Sequence, residues 1–364
     1  MHGTVRERRG AIGALMQTLR LEPPALPAPS RPARFRSGRA LALLAGVGVV
    51  LLAALLSLRV GSISVSNRDA WDALVHFNPD SYEQTVVRSL RLPRTVIGLA
   101  IGASLGVAGA VMQGVTRNPL ADPYILGVSS GASFAIVTAI FYLGITSPSG
   151  FVWFAFVGAL VAAGLVFVIG SAGRDGPTPV KLALSGVVIS AALSAWTSAL
   201  LLLDQSTGNI VRFWVAGSVV GRDLGSVAAL LPVLVGGGVA CLFLGHQLNV
   251  LSLGDDAARG LGMRTGRTRL LCSLLVVLIT GAAVAVAGPI GFVGLAIPHM
   301  ARALVGPDYR WVLPASFLYG GAYLVAADVL GRLVAQPAEL EVGIVTALIG
   351  APFMVAVARR QHAT

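Results

Sequence analysis

Residues 91–133 read RLPRTVIGLAIGASLGVAGAVMQGVTRNPLADPYILGVSSGAS, and this stretch decides the fold. Arg91 and Arg94 flank Pro93, which suits the first turn of a helix because its missing N–H has no partner to lose there. An apolar segment rich in small residues follows, then the polar turn Arg117-Asn118-Pro119-Leu120-Ala121-Asp122-Pro123. The chain then re-enters apolar sequence through Gly127 to Ala132. Gly102, Gly106 and Gly109 fall on neighbouring faces of the first helix. Small residues let two backbones approach where lipid supplies no hydrophobic drive between helices. A closely packed membrane helix is expected.

The rest of the chain has the same character. Of 364 residues, 55% are hydrophobic and 12% charged, with mean hydropathy +0.80. That is too apolar for a soluble domain and fits a polytopic membrane protein. Crossing the hydrocarbon core takes about 20 apolar residues. Runs of this kind recur near 40–59, 93–113, 124–143, 151–171, 182–203, 226–245, 269–288, 291–305, 311–332 and 341–358. All ten are expected to be helices, since a chain in lipid must satisfy its own backbone. The eighth is short for a full crossing. Cys241 and Cys272 sit in apolar runs without metal-type spacing and read as reduced packing residues.

Residues 1–38 form a basic, proline-rich extension with too little apolar material to fold alone, and read as disordered at a cytoplasmic surface. Their one apolar piece, Ala11 to Met16, is shorter than a signal-peptide core of roughly 7–15 residues, so no cleavage is expected. Residues 39–364 are expected to form a single transmembrane domain. The net charge of +11 suggests nucleic acid only until its placement is counted. With the N-terminus in the cytoplasm, 19 of the 27 basic residues fall on the inner side, as positive-inside topology requires. Both termini are then cytoplasmic.

Four blocks carry the functional reading. Arg91 and Arg94, with Arg332 at the end of span nine, cluster on the side where basic residues are disfavoured. They either anchor span ends at head groups or form an outward basic surface for an acidic partner. The second block lies within about 250–268: Gly254, Asp255, Asp256, Ala257, Ala258, Arg259, Gly260, Leu261, Gly262. A short helix here would carry its carboxylates at the N-terminus, where the dipole favours them, and end at glycine. Ala257, Ala258 and Leu261 would then present a small apolar face. An ordinary loop helix is the plainer alternative.

The third block, Gly288 to Arg302, breaks the helix at Gly-Pro-x-Gly between spans seven and eight. Its His299 has no carboxylate or second His nearby, so packing or hydrogen bonding outweighs metal ligation. The fourth runs from Asp328 to Met354. Gly343, Thr346, Ala347 and Gly350 follow i, i+3, i+4, i+7 spacing and give one small, weakly polar helix face. It reads either as helix packing or as a pathway wall. The single lysine, Lys181, follows Val180, so no G-x-x-x-x-G-K-[ST] phosphate loop exists, and H-E-x-x-H is absent. Asp328 is the one clear carboxylate inside the spans and reads as a satisfied helix-end group rather than a proton relay.

These four blocks, in this order, resemble the FecCD/BtuC-type permeases of importers for vitamin B12, haem and ferric siderophores. The resemblance covers nearly all of the chain beyond residue 38. It implies an all-α, ten-helix permease in the cytoplasmic (inner) membrane, which does no covalent chemistry and holds no metal or cofactor. Two such subunits, identical or paralogous, would enclose a pathway. Two ATPase subunits would bind ATP and Mg below, and an extracytoplasmic binding protein would deliver substrate above. It further implies that Arg91, Arg94 and Arg332 receive carboxylates of that binding protein, and that the segment around 254–262 is the coupling helix seated in the ATPase. The pathway reading of Gly343, Thr346, Ala347 and Gly350 fits the same scheme. Asp256 stands where the family commonly has Glu, and Glu341 where it usually has Pro. Ferric siderophore leads as substrate, ahead of haem and cobalamin. Two other classes fare worse: an ion-coupled secondary transporter wants midplane ionisable groups, and an intramembrane enzyme wants a Ser–His, paired-Asp or metal cluster in the spans.

Overall fold

Every one of the ten apolar segments is helical. A computed structural model describes residues 35–61, 63–172, 178–222, 224–336 and 338–361. The chain divides into Met1–Ser37 and Gly38–Thr364. The expected disordered extension lies almost wholly outside the described residues. In order, the helices are α1 (Gly38–Arg59), α2 (Asn67–Val75), α3 (Leu92–Thr116), α4 (Val128–Leu143), α5 (Pro148–Gly170), α6 (Pro179–Leu203) and α7 (Gln205–Val215). Then come α8 (Leu231–Leu242), α9 (Gly245–Ser252), α10 (Asp255–Gly260), α11 (Thr265–Ala287), α12 (Val293–Val305), α13 (Tyr309–Val334) and α14 (Val342–Gln361). α1 to α14 all belong to the second unit.

Length separates these helices. Among the described residues, α1, α3 with the turns before it, α5, α6, α11 and α13 are long and apolar enough to cross a bilayer. α8 and α9 make a seventh span broken by a 53° bend. α4, α12 and α14 are shorter apolar helices. The eighth segment is short as expected, but the third is short too. Its beginning is taken by a 3₁₀ turn, Pro123–Leu126, capped by the Asp122 side chain. Tyr124 in that turn donates its hydroxyl to Ile290 O and accepts from Ile290 N, both at 3.0 Å.

At the centre stands α3, buried along almost its whole length and packed against α13, α11, α12 and α8. Its glycines make this packing close. A Cβ at Gly102 would strike the carbonyl of Gly320, and one at Gly106 that of Ser316, both on α13. Gly109 meets the backbone of Gly294 on α12 in the same way. Pro298 inside α12 has no N–H to offer Gly294 O four residues back. Gln113 of α3 takes that role, donating to Gly294 O at 3.2 Å and Leu295 O at 3.4 Å. Its own carbonyl oxygen accepts from Arg302 Nη2 at 2.5 Å. His299 is held by hydrogen bonding, with Nδ1 3.1 Å from Leu295 O.

Candidate functional site: two polar ends of a helical bundle

At one end, the expected outward arginine surface takes a different form. The last turn of α1 leaves carbonyls that no helical N–H reaches. Arg91, on a π turn (Val87–Arg91) leading into α3, donates to Leu58 O at 2.9 Å, to Arg59 O at 2.7 Å and to Ile63 O. Arg332 donates to Ser57 O at 3.0 Å, Val60 O at 2.8 Å and Ser57 Oγ at 2.7 Å, and pairs with Asp328 at 2.9 Å. Arg91 and Arg332 are only 5% and 2% exposed. Their charges lie at the end of α1, where a helix C-terminus favours cations. Arg94 joins Asp328 at 2.6 Å to Glu339 at 2.7 Å. Within this chain Arg91 and Arg332 therefore cap the end of α1.

A pocket of about 340 Å³ opens over this network, lined among others by Tyr82, Arg91, Arg94, Arg222, Arg332 and Glu339. Arg222 differs from its neighbours. It sits in the segment after α7, and its buried Nε has no hydrogen-bond partner. Burial pushes its guanidinium below the ordinary value, opposed by the Glu341 carboxylate. Glu341 Oε2 is likewise buried and unbonded. Sequence reasoning counted Arg222 as one more basic residue, because it belongs to no motif.

At the other end, the segment 254–262 is a helix as expected, though very short. Gly254 takes φ 103°, a backbone favoured only by glycine, and α10 follows. Asp255 ties α10 to two membrane helices: its Oδ1 accepts from Arg269 of α11 at 2.7 Å and lies 3.3 Å from Arg117, the residue capping α3. Asp256 and Arg259 face solvent, 3.8 Å apart. Ala257 and Gly262 are exposed, as is Leu261. Ala258 corrects the expected face, since it is fully buried. The outward apolar surface of the segment is Leu253, Ala257 and Leu261.

The small-residue face of α14 is spent on the chain itself. Gly343 N donates to Gly217 O at 2.9 Å, and Thr346 is fully buried with its hydroxyl on Gly343 O at 3.0 Å. Ala347 is half-buried, and a Cβ at Gly350 would run into the Phe292 side chain. Within this chain the face therefore serves as a packing seam. α6 carries the contrasting feature. Leu184, Val187, Ala191, Ser194, Ala195 and Ser198 form one exposed stripe, small and weakly polar in its middle. On α1 the exposed stripe is leucine and valine, suited to lipid.

Gly127-Val128-Ser129-Ser130-Gly131 spells G-x-S-x-G, the form of a nucleophile elbow. Here it opens α4 after a 3₁₀ turn, with no strand before it. Among the described residues, no hydrogen bond joins Ser129 to a histidine or carboxylate.

The arrangement offers tightly packed spans with a cationic pocket at one end and a pinned, solvent-facing helix at the other, which is the construction of a membrane permease. Residues 49–360 match the FecCD transport family, and the chain belongs to it. It is the permease subunit of an ABC importer and not itself an ATPase. It is 43% identical over 324 residues to the "Probable siderophore transport system permease protein YfiZ" of Bacillus subtilis, covering 89% of this chain and 97% of that one. To the ferric enterobactin transport system permease protein FepD of Escherichia coli it is 44% identical over 324 residues, covering 89% and 96%. An inward-facing structure described as a metal-chelate type ABC transporter superposes with TM-score 0.77 at 31% identity, covering 88% of this chain and 99% of that one.

Proposed function

We propose that this chain moves a ferric siderophore across the cytoplasmic membrane by alternating access, with its Arg117 end in the cytoplasm. A second permease subunit, identical or paralogous, completes the pathway, and two ATPases bind ATP and Mg. The observation that carries this reading is the Asp255 contact. One carboxylate links the solvent-facing α10 to both α3 and α11, so a push on α10 from an ATPase reaches the central helix directly. The pathway runs along the Ala191, Ser194, Ala195, Ser198 stripe of α6, because a small polar face gains nothing from lipid and suits a bulky passing substrate.

At the outer end, the binding protein docks over the 340 Å³ pocket. Arg222 is the receiver of its carboxylate, having a buried Nε without a partner, and Arg94 shares itself between Glu339 and the newcomer. The names of the relatives favour siderophore over haem or cobalamin. The test is uptake by the complete transporter in proteoliposomes, offering hydroxamate and catecholate ferric siderophores, haem and cobalamin in turn. ATP-dependent uptake of a ferric siderophore supports the assignment. Uptake of cobalamin or haem alone overturns it. Uptake collapsed by an uncoupler at constant ATP would favour the ion-coupled class.

A further inference from the structure

α2 is a nine-residue helix with two unlike faces. Asn67, Ala70, Trp71 and Leu74 follow i, i+3, i+4, i+7 spacing and share one side. Arg68, Asp69 and Asp72 take the other, where Arg68 pairs with Asp72 at 3.6 Å and Asp69 accepts from Ser66 Oγ at 2.6 Å. Such an amphipathic helix with tryptophan and leucine on its apolar side lies in the plane of a membrane interface. Ala70 and Ala73 bury against Leu58 of α1, which fixes α2 beside the end of that span.

Between the two helices runs a groove of about 360 Å³. Leu52, Leu55 and Leu58 of α1 form one wall, and Ala70, Trp71 and Leu74 of α2 the other. Leu52, Leu55 and Trp71 are 56%, 60% and 63% exposed, so the walls are open. Leu52 lies seven residues before Arg59 on the same helix, which gives the groove a length of about 10 Å along the membrane normal. Its upper end is polar. Arg59, the last residue of α1, and Asn67, the first of α2, both line it. Arg59 is exposed, and among the described residues its side chain makes no hydrogen bond or ion pair. Among the described residues it is the one charged residue lining the groove.

We propose that this groove is a binding site for an anionic phospholipid, the acyl chain lying between α1 and α2 and the phosphodiester meeting Arg59 and the Asn67 amide. The apolar depth and the single cationic rim match one molecule with those two parts in that order. The carboxylates of α2 face away and are occupied, so they do not oppose the phosphate. The proposal rests on the chain spanning a membrane. The orientation assigned above decides only that the outer leaflet supplies the lipid.

The experiment is native mass spectrometry of the purified full-length chain, incubated with equal phosphatidylglycerol and phosphatidylcholine. Wild-type is expected to retain phosphatidylglycerol about fivefold better, the ratio that corresponds to roughly 1 kcal/mol for one basic residue at a membrane surface. Arg59→Gln should abolish this preference, while Arg68→Gln, on the opposite face of α2, should keep it. Trp71→Ala with Leu74→Ala should lower retention of both lipids together. No preference in wild-type, or a preference that survives Arg59→Gln, overturns the site. So does a disulfide-linked pair of chains formed through Trp71→Cys, which would assign the groove to a second copy.

Discussion

Asp255 Oδ1 stands 2.7 Å from Arg269 Nη2 and 3.3 Å from Arg117 Nη2, so one oxygen holds α10 against the starts or ends of two membrane helices. These side chains are 27%, 13% and 40% exposed, which makes the contact a solvent-touched clamp rather than a buried pair. Asp255→Asn should therefore change stability by about 1 kcal/mol or less. Its larger effect is on coupling: substrate moved per ATP hydrolysed should fall severalfold, with Asp255→Glu restoring much of it. Parallel assays of uptake and phosphate release read this ratio directly. An unchanged ratio would mean that the clamp does not transmit force.

Two arginines of one pocket should behave oppositely. Arg332→Ala takes one of two guanidinium partners from the buried Asp328 carboxylate, which keeps Arg94, and leaves Ser57 O and Val60 O without their donor. A buried acceptor left unsatisfied costs about 1–3 kcal/mol, visible as a lower unfolding temperature. Among the described residues the Arg222 side chain makes no hydrogen bond and Arg222→Ala loses only the attraction to Glu341, so it should cost about 1 kcal/mol or less, clearly under the cost of Arg332→Ala. Binding-protein association should instead slow, most clearly at low salt, because exposed charge chiefly sets encounter rate. Surface-plasmon kinetics at two salt concentrations separate the two roles.

Ser194→Phe and Gly350→Leu make a second contrasting pair. The first adds bulk to an open helix face and should reduce uptake with normal expression and unfolding. The second drives a side chain into Phe292, and overpacking of that kind costs about 1–3 kcal/mol. Reduced stability for Ser194→Phe, or reduced uptake with intact stability for Gly350→Leu, would exchange the assignments of α6 and α14.

Gln113→Leu tests why α12 keeps its shape at Pro298. It leaves Gly294 O, which faces Pro298, without its donor and Arg302 without its 2.5 Å acceptor. An unsatisfied buried polar group costs about 1–3 kcal/mol, so a marked drop in thermal stability is expected. Gln113→Glu keeps an acceptor for Arg302 but cannot donate, and should fall between.

The place of the apolar helices was legible because lipid enforces a simple rule: apolar runs must close their own hydrogen bonds, while their lengths were not, since among the described residues only six, or seven with the bent pair, are long enough to cross. The Gly102-x-x-x-Gly106 spacing announced a close contact, although its partner Gly320 lies far off in sequence and could not be named. Three readings needed coordinates. Arg91 and Arg332 looked outward because charge count ignores that α1 ends beside them with carbonyls to satisfy. The α14 face was left between channel wall and packing seam because spacing cannot tell the two apart, and coordinates were needed to find Phe292 against Gly350. Ala258 looked available because a six-residue helix gives no periodicity to reveal its buried side. Arg222 carried no signal at all; only its unpartnered Nε in a pocket of arginines distinguishes it.

The central claim is that α10 is where an ATPase takes hold of this permease. Cys241 and Cys272 are both fully buried, so Ala257→Cys would be the one reactive thiol on the described surface. Labelled with a photoreactive maleimide in the assembled transporter, it should cross-link to the ATPase subunit, and the bulky label should abolish ATP-driven uptake while the subunit stays folded. A label that cross-links to no ATPase, in a transporter whose uptake is unchanged, would contradict the account.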